Sequence, residues 1–341
     1  MNSILFFLIH IITYSHAFLN RYYTKKVKNS PTHLFSNRNK NIIIFGNGNV
    51  GKEVTKCLVN HKDLNTFFDC VYCTHRSTSE KDFIDGINYV TIENMTPNII
   101  SKCSHVLITI PPQISDSNYI DVVLDNTMIM NNLSKDVTIG YISTTGVYGD
   151  HNNAWVDELS NTLCTSNTKA YTYLNIEERW QSFSSKKLFI YRCAGLYGDN
   201  MSALHTILKS GYAKETDNRK QYTSRIHLKD VAHFIVMSFI NDNVQSGIYN
   251  LADSLPASRD AVMQHAYKLL CDAGLKDIIQ DNEDGVIIKS ERKSRRKTDR
   301  KRVCNKKLLS GLNMCGSRLL FPTFYEGLQD VVDNNIDRWR K

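Results

Sequence analysis

The chain has 341 residues, enough for one large or two ordinary domains with a sizeable core. Apolar residues (42%) and charged residues (22%) occur at ordinary frequencies, which excludes a wholly disordered, collagen-like or coiled-coil chain. The formal net charge of +8 is unevenly spread. Residues 1–41 hold six basic residues and no acidic one, which leaves 36 basic and 34 acidic residues in a nearly neutral remainder.

The first 40 residues have the pattern of a targeting leader in two parts. An apolar stretch at residues 4–12 is followed by Ser15-His16-Ala17, as in a signal peptide with a small-residue cleavage site. Residues 18–41 are rich in Lys, Asn, Ser and Thr and lack acids, as in transit peptides. Together they resemble leaders that route proteins through the secretory pathway into complex plastids. Simple secretion and a buried amphipathic helix are the alternatives.

The nine cysteines are an odd number without regular spacing, which indicates reduced thiols rather than a disulfide framework. Cys70 and Cys73 form a CxxC pair, but no second pair or spaced histidines complete a zinc site. We interpret both as small apolar side chains of a buried strand. Reduced thiols favour a plastid stroma over the extracellular space.

The remainder of the chain opens with a pattern typical of dinucleotide binding. Residues 41–45 predict a strand, Gly46-Asn-Gly48-Asn-Val-Gly51 a tight turn, and residues 52–59 a helix. The three glycines permit the turn, the approach of a pyrophosphate to the backbone, and close helix–strand packing, while the helix N-terminus stabilises phosphate charge. An ordinary strand-to-helix turn is the alternative.

The next predicted strand, residues 69–73, is followed by Thr74-His75-Arg76-Ser77. A site that prefers NAD has Asp or Glu here to bind the adenosine ribose. Arg76 instead suits the 2′-phosphate of NADP, because a guanidinium stays ionised and offers several fixed donors. The sequence therefore predicts NADP, with NAD as the alternative if Arg76 is only a solvated loop residue.

Further strand-like runs at residues 106–110, 138–142 and 188–193 are separated by enough chain for crossover helices. The pattern predicts an α/β fold, a Rossmann-type doubly wound parallel sheet. Ligands in such sheets bind at the carboxyl ends of the strands. Those ends carry Thr109-Ile-Pro111-Pro112, Ser143-Thr144-Thr145 and Ala194-Gly195.

These segments resemble the extended branch of the short-chain dehydrogenase/reductase superfamily, which includes nucleotide-sugar epimerases and dehydratases. The matching segments are the glycine turn, Thr74-His-Arg76, and residues 143–149, 192–198, 225–230 and 247–253. Gly149-Asp-His151 and Trp155-Val-Asp-Glu158 resemble in particular an atypical bacterial and plastid subgroup of the NAD-dependent epimerase/dehydratase family. The resemblance covers residues 41–330. After the leader at 1–40, it implies an NAD(P)-binding Rossmann domain at 41–197 and a smaller C-terminal substrate-binding portion at 198–341 that partly returns to the sheet.

The resemblance implies proton exchange by a tyrosine whose phenol pKa is lowered by a lysine four residues later. This Tyr-x-x-x-Lys pair is missing. Alignment of the helix at residues 169–180 places Lys169 at the tyrosine position and Tyr173 at the lysine position. The neighbouring register offers Tyr171 with Asn175. A substitute tyrosine is one hypothesis, and an ordinary packed aromatic is the other.

The candidate residues follow from these motifs and from the resemblance. The catalytic candidates are Ser143, Thr144, Tyr148 and Tyr171. The cofactor-binding candidates are Gly46, Gly48, Asn49, Val50, Gly51, Thr74, Arg76, Thr109, Pro111, Ser143 and Gly195. No metal site is predicted.

The C-terminal half predicts a buried helix from Arg225 to residue 239, a strand at residues 247–251, and a further helix with Ser258 as its N-cap. Arg225 and His227 are candidates for contacting substrate or phosphate. Asp230 is equally well explained as a residue of the first helical turn that stabilises the helix dipole.

Residues 289–307 carry eleven basic and two acidic residues. Three interpretations are open: a solvated loop over the substrate cleft, a clamp for phosphate or an anionic substrate, and a nucleic-acid contact. The run lacks interleaved aromatics and the rest of the body is net acidic, so nucleic acid is the least favoured and is not expected as a partner.

Two functions remain open. The first is an NADP-dependent enzyme that acts on a nucleotide-linked or phosphorylated small molecule by oxidoreduction, epimerisation or dehydration. The second is an NADP-binding redox sensor or scaffold with little or no catalysis. The resemblance also implies a homodimer paired through two helices, and we expect no membrane attachment of the mature form.

Overall fold

The structure is a computed structural model that describes residues 40–60, 67–76, 83–115, 118–166, 168–183, 187–211, 221–279 and 299–340. The predicted leader, apart from Lys40, and residues 289–298 of the basic run lie outside the described residues. Within the described ranges, no helix combines the length and the apolar character needed to cross a membrane.

The described chain contains fifteen strands and nine α-helices. The strands are β1 (Asn41–Phe45), β2 (Cys70–Thr74), β3 (Asn88–Val90), β4 (Cys103–Ile108), β5 (Gln113–Ser115), β6 (Asn118–Ile120), β7 (Thr138–Thr144), β8 (Trp155–Val156), β9 (Lys187–Cys193), β10 (Gly195–Tyr197), β11 (Tyr222–Thr223), β12 (Arg225–His227), β13 (Gly247–Leu251), β14 (Ala257–Ser258) and β15 (Arg302–Val303). The helices are α1 (Asn49–Asn60), α2 (Pro97–Ser101), α3 (Thr127–Asn132), α4 (Lys169–Ser182), α5 (Ala203–Ser210), α6 (Leu228–Ile240), α7 (Arg259–Asp272), α8 (Lys306–Met314) and α9 (Phe324–Trp339). Short 3-10 helices cover Thr145–Tyr148 and Lys276–Ile278.

Seven strands form one parallel sheet in the order β3-β2-β1-β4-β7-β9-β13. The chain runs outward from β1 to β3 and then returns to β4 on the other side of β1. This is the doubly wound order, and its direction reverses between β1 and β4. The predicted Rossmann-type fold is confirmed, and the five sheet strands predicted after β1 lie within three residues of their observed ends.

Helices cover both faces of this sheet, which explains why β1 is apolar throughout. Ile42 and Ile44 face one core, which includes side chains of α1, α6 and α8. Ile43 and Phe45 face the other core, which includes side chains of α2, α3 and α4. Because a strand presents alternate residues to opposite faces, a strand covered on both sides needs apolar residues at every position.

All nine cysteines are free thiols, as the sequence predicts. Cys73 is buried in β2, and burial raises the pKa of its thiol to about 12. Cys70 is half-buried at the start of the same strand. Both residues of the CxxC pair therefore serve as strand residues.

The prediction of a helix beginning at Arg225 is wrong by three residues. Residues 225–227 form β12, which pairs in parallel with β10, and the helix begins at Leu228. His227 is its N-cap and accepts a hydrogen bond from the Lys229 amide. Pairing with β10 fixes this short segment as a strand, a tertiary effect that local periodicity does not reveal. The predicted N-cap Ser258 is confirmed, because its hydroxyl accepts from the Ala261 amide.

Asp230 lies in the first turn of α6, where the sequence places it, and has a further role. Its buried carboxylate accepts hydrogen bonds from the amides of Leu320 (2.6 Å) and Phe321 (3.1 Å). Asp230 therefore anchors the segment that precedes α9 to helix α6.

The described part of the basic run forms an internal strap rather than a solvated loop or a clamp. In this strap, residues 299–305, strand β15 pairs with β8. The Arg300 guanidinium donates to Asp150 at 2.9 Å, and Lys301 Nζ donates to the carbonyl oxygen of Gly149 at 3.0 Å. Arg302 stacks over the ring of Tyr222. Arg300 and Lys301 therefore hold the loop after β7, which contains Gly149 and Asp150.

A buried ion pair joins α4 to the sheet. Arg192 Nη2 on β9 donates to Glu177 Oε2 on α4 at 2.7 Å, and the two side chains are 4% and 0% exposed. Ser143 on β7 donates its hydroxyl hydrogen to the same carboxylate. The Arg192 guanidinium also lies 5.0 Å from the ring centre of Tyr148. One carboxylate thus links a helix and two strands.

We expect Glu177→Gln to lower the free energy of unfolding by about 3–5 kcal/mol, because it leaves Arg192 charged and unpaired in the interior. Urea denaturation followed by circular dichroism measures this loss. Glu178→Gln is the matched control, since Glu178 is the exposed neighbour on the same helix. A loss below about 1 kcal/mol for Glu177→Gln would contradict the assigned role, because that is the range of surface pairs.

Candidate cofactor and active site

The glycine turn between β1 and α1 brings two backbone segments into direct contact. Gly46 has φ +112°, and a Cβ there would lie 2.6 Å from Thr109 Oγ1. A Cβ at Gly51 would overlap the carbonyl oxygen of Gly46. Both positions therefore require glycine, one for its backbone conformation and the other for the close approach of helix and strand.

Gly48 is different, because the space above it is open. A Cβ at Gly48 would meet nothing within 4 Å, and both Gly48 and Asn49 are exposed. The Lys52 amide donates to the Gly48 carbonyl oxygen at 2.8 Å, so α1 begins directly at this opening. A helix N-terminus under an open glycine is the cradle that a pyrophosphate occupies. The residues present therefore fit a dinucleotide.

Two of the predicted cofactor residues hold the turn itself. Thr74 Oγ1 accepts a hydrogen bond from the Gly46 amide at 2.9 Å. Thr109 donates its hydroxyl hydrogen to the carbonyl oxygens of Phe45 and Gly46, at 3.0 and 3.1 Å. Val50 packs its side chain into the core, which leaves its backbone as the part that faces the turn.

The remaining predicted cofactor residues surround the turn at the same edge of the sheet. Arg76 is exposed two residues beyond β2, and Pro111 is exposed three residues beyond β4. These two strands are the neighbours of β1, so the two residues flank the glycine turn. Gly195 is exposed at the start of β10.

The structure separates the catalytic candidates at the end of β7. Ser143 is buried and bonded to Glu177, whereas Thr144 is half-buried and accepts a hydrogen bond from the Gly146 amide at 3.0 Å. Tyr148 is completely buried and donates its hydroxyl hydrogen to Asn250 Oδ1 at 2.7 Å. Burial raises the pKa of Tyr148. Thr144 is therefore less buried than Ser143 and Tyr148.

Helix α4 packs its first turn against the segment that follows β7. A Cβ at Gly146 would lie 3.2 Å from the Cβ of Ala170, which is tighter than an ordinary contact. Tyr171 points toward β6, where its ring meets Tyr119 edge to face at 5.8 Å. Lys169 is exposed. The structure therefore directs Tyr171 toward the β5–β6 hairpin.

Tyr173, which the resemblance aligns with a lysine, is a packed aromatic residue. It is half-buried and packs both against the core under β7 and against the cluster containing Val147 and Tyr148. Residues 170, 173 and 177 share one face of α4, because they follow one another at intervals of three and four residues.

A cavity of about 400 Å³ adjoins the glycine turn. It is lined by residues of β10, α5, β12, α7 and α9. Met201 lines it and also accepts a hydrogen bond at Sδ from Asn49 Nδ2 at 2.9 Å. Arg225, predicted as a substrate contact, lines its wall and donates from Nη2 to Thr223 Oγ1 at 2.8 Å.

His227, the other predicted substrate contact, is buried and lies in a separate cluster with the half-buried Asp199 and Asp330; the ligand atoms of the three residues fall within 4.8 Å of one another. His227 Nδ1 accepts from the Lys229 amide, so the neutral ring carries its proton on Nε2. Lys229 Nζ donates to Asp330 at 2.7 Å. Burial lowers the pKa of His227 to about 3. We assign this cluster to ion pairing, because a metal ligand would need a free Nε2 lone pair.

Comparisons with known proteins bear on the fold. No protein-family model and no curated protein sequence matches the chain. A solved structure of a functionally unknown conserved protein from Silicibacter pomeroyi is 22% identical and has a TM-score of 0.65, over 86% of this chain and 99% of its own.

Two solved enzymes have the same fold. UDP-N-acetylglucosamine 4-epimerase from Bacillus cereus is 15% identical, with a TM-score of 0.60, over 89% of this chain and 100% of its own. Yeast methylglyoxal/isovaleraldehyde reductase in complex with NADPH is 14% identical, with a TM-score of 0.57, over 87% of this chain and 98% of its own. The chain therefore has the same fold as these epimerase and reductase structures, the Rossmann-type fold that the sequence predicts.

Proposed function

We propose that this chain is an NADP-binding member of the extended short-chain dehydrogenase/reductase family and an enzyme of the epimerase/dehydratase type. The observation that carries the proposal is the glycine turn. Gly46 and Gly51 are packed too closely for any side chain, whereas Gly48 opens above the N-terminus of α1 at the point where the sheet order reverses. That combination is the recognition geometry for a dinucleotide pyrophosphate.

Arg76 supports NADP over NAD. It is exposed just beyond β2, where a guanidinium can reach the 2′-phosphate of the adenosine ribose. The fold alone favours neither cofactor, because structures that share it were solved with NADPH and with NAD. When bound, the cofactor supplies hydride transfer at its nicotinamide ring.

The cavity beside the turn supports a small anionic substrate, phosphorylated or nucleotide-linked. Its volume of about 400 Å³ lies in the range of small-molecule sites. Arg225 is the charged side chain among its lining residues. Met201 connects the cavity to Asn49 of the turn, which would place the substrate next to the cofactor. The reaction class is oxidoreduction, epimerisation or dehydration.

A redox sensor or scaffold that binds NADP with little turnover is the second candidate. Two observations favour it: Ser143 is engaged by Glu177, and Tyr148 is enclosed and bonded to Asn250. In helix α4, neither tyrosine is followed four residues later by a lysine that would lower its phenol pKa. Cofactor binding is common to both candidates.

For the assembled protein we propose a homodimer with a small-molecule substrate and no nucleic-acid partner. We also propose that residues 1–40 direct it to a complex plastid. The support is compositional: an apolar stretch followed by an acid-free basic segment, and nine free thiols in the body.

The cofactor proposal predicts that the full chain binds NADPH more tightly than NADH in a titration of nicotinamide fluorescence. Gly48→Asp should abolish binding of both, because it adds a negative charge where the pyrophosphate sits. Arg76→Asp should remove the preference for NADPH, with a loss of roughly tenfold or more in NADPH affinity for one charge-assisted contact.

Lys135→Asp is the control for Arg76→Asp, since Lys135 is an exposed base just before the opposite end of β7. It should leave both affinities unchanged. Binding of neither dinucleotide by the folded wild-type chain would refute the enzyme and the sensor proposals together.

The leader proposal predicts that residues 1–40 fused to a fluorescent protein accumulate in the plastid of a cell that has a complex plastid. The double substitution Phe6→Asp and Leu8→Asp should block entry into the secretory pathway, because it interrupts the apolar stretch. Fluorescence microscopy reads out both fusions. Export of the unmodified fusion to the medium would favour simple secretion instead.

A further inference from the structure

We propose that a slot in the C-terminal half of the chain is a second small-molecule site, which binds the flat, uncharged ring of a purine-type ligand. The slot has a volume of about 280 Å³ and lies between β11, β14 and the first turns of α7 and α9. It is separate from the glycine turn and from the cavity of about 400 Å³. The inference therefore goes beyond the proposed function and does not depend on it.

Consecutive residues of the same elements divide the slot from the larger cavity. In β11, Tyr222 lines the slot and Thr223 lines the cavity. In α7, Ala261 lines the slot and Val262 lines the cavity. Among the described residues, none lines both spaces. A ligand in one space therefore leaves the other accessible, so the slot can hold a ligand of its own.

The lining of the slot suits a flat apolar ligand. Tyr222, Phe324 and Tyr325 supply three aromatic rings. Leu255 and Tyr325 remain 36% and 48% exposed. Exposed apolar side chains grouped around a concave surface are typical of ligand sites. The volume lies just below the range of sites for drug-sized ligands, so it fits a single fused ring system.

The aromatic walls are held in place before a ligand arrives. The Tyr222 amide donates to Asn153 Oδ1 at 3.1 Å, and the Arg302 guanidinium lies 4.1 Å from the centre of the Tyr222 ring. The Phe324 side chain is buried, and the Tyr325 ring packs against it with 4.2 Å between the ring centres. Because these rings are already ordered, binding loses little side-chain entropy.

Positive charge behind the rings disfavours a cationic ligand. The Arg302 guanidinium stacks on Tyr222, and the Arg225 guanidinium lies 5.2 Å from the centre of the Phe324 ring. Neither arginine lines the slot, so both lie on the far side of the rings. Each guanidinium already interacts with the electron density of its ring, and a second cation would be repelled. An uncharged ring, in contrast, can stack on the faces that line the slot.

Two acidic side chains lie in the first turns of the flanking helices, and both have partners there. Gln264 donates to Asp260 in α7, and the Thr323 amide donates to Glu326 in α9. Among the described residues, no acidic side chain lines the slot. The slot therefore offers no counter-ion to an ammonium group.

Ser258 gives the slot one directional polar group. Its hydroxyl oxygen accepts the capping hydrogen bond from the Ala261 amide at 3.1 Å, which leaves the hydroxyl hydrogen to donate. An acceptor nitrogen at the edge of a heteroaromatic ring matches this donor, whereas a hydrocarbon ring does not. Purine-type rings combine such nitrogens with a face that stacks on aromatic side chains.

The test uses 2-aminopurine riboside, a fluorescent purine nucleoside whose emission falls when its base stacks on an aromatic ring. Titration with the full chain should quench the probe to saturation. Tyr222→Leu and Tyr325→Leu each remove one stacking face and should weaken binding by about fivefold or more, the lower limit for one base–aromatic contact. Because Tyr325 is exposed, its replacement keeps the fold, which circular dichroism checks.

Tyr119→Leu is the matched control, since it removes a half-buried tyrosine in β6 that contacts α4 rather than the slot. It should leave the affinity for the probe unchanged. Gly48→Asp should also leave it unchanged, because the slot does not include the glycine turn.

No quenching by the folded wild-type chain would overturn the inference. Loss of probe binding in Gly48→Asp but not in Tyr325→Leu would also overturn it, because the probe would then be at the dinucleotide site. Displacement of the probe by choline would overturn the assignment to an uncharged ring, since choline is a cation that aromatic sites bind. Failure of the chain to bind NADPH would overturn the cofactor proposal alone.

Discussion

The buried carboxylate of Glu177 is the interaction on which the site depends. A charge without solvent is costly unless its partners are close and well directed, and Glu177 has them in Arg192 of β9 and Ser143 of β7. These contacts fix the rotation of α4 about its axis, because a helix held at one residue presents a defined face one turn earlier. That face carries Ala170, which abuts Gly146 just after β7. Glu177 therefore fixes how α4 packs against the end of β7.

The glycine turn between β1 and α1 depends on two positions that have no side chain. At Gly46 and Gly51 the backbone of β1 and that of α1 approach so closely that a Cβ would collide with its surroundings. The hydroxyls of Thr74 and Thr109 then fasten this turn to the two neighbouring strands. Only Gly48 opens outward. The turn is thus a rigid frame in which a single position is left free for a phosphate.

Much of this arrangement can be read from the sequence, because it depends on local patterns. The apolar run of β1, the three glycines and the later sheet strands each have a periodicity or spacing that follows from burial on both faces. Local patterns do not predict strand β12, since only its pairing with β10 makes it a strand. The sequence also does not predict the contacts of Arg300 and Lys301, because their partners Asp150 and Gly149 lie far away in the chain.

The strap has a consequence for how the molecule is made. Its hydrogen bonds to the loop after β7 span 150 and 152 positions in the chain. During synthesis the loop emerges long before its partners exist, so Asp150 and the Gly149 carbonyl must remain solvated until nearly the whole chain has left the ribosome. Contacts of such long sequence separation form late, because the entropy of closing a long loop is paid before they stabilise anything. Because the chain is synthesised from its N-terminus, the loop after β7 is therefore one of the last parts to acquire its final shape.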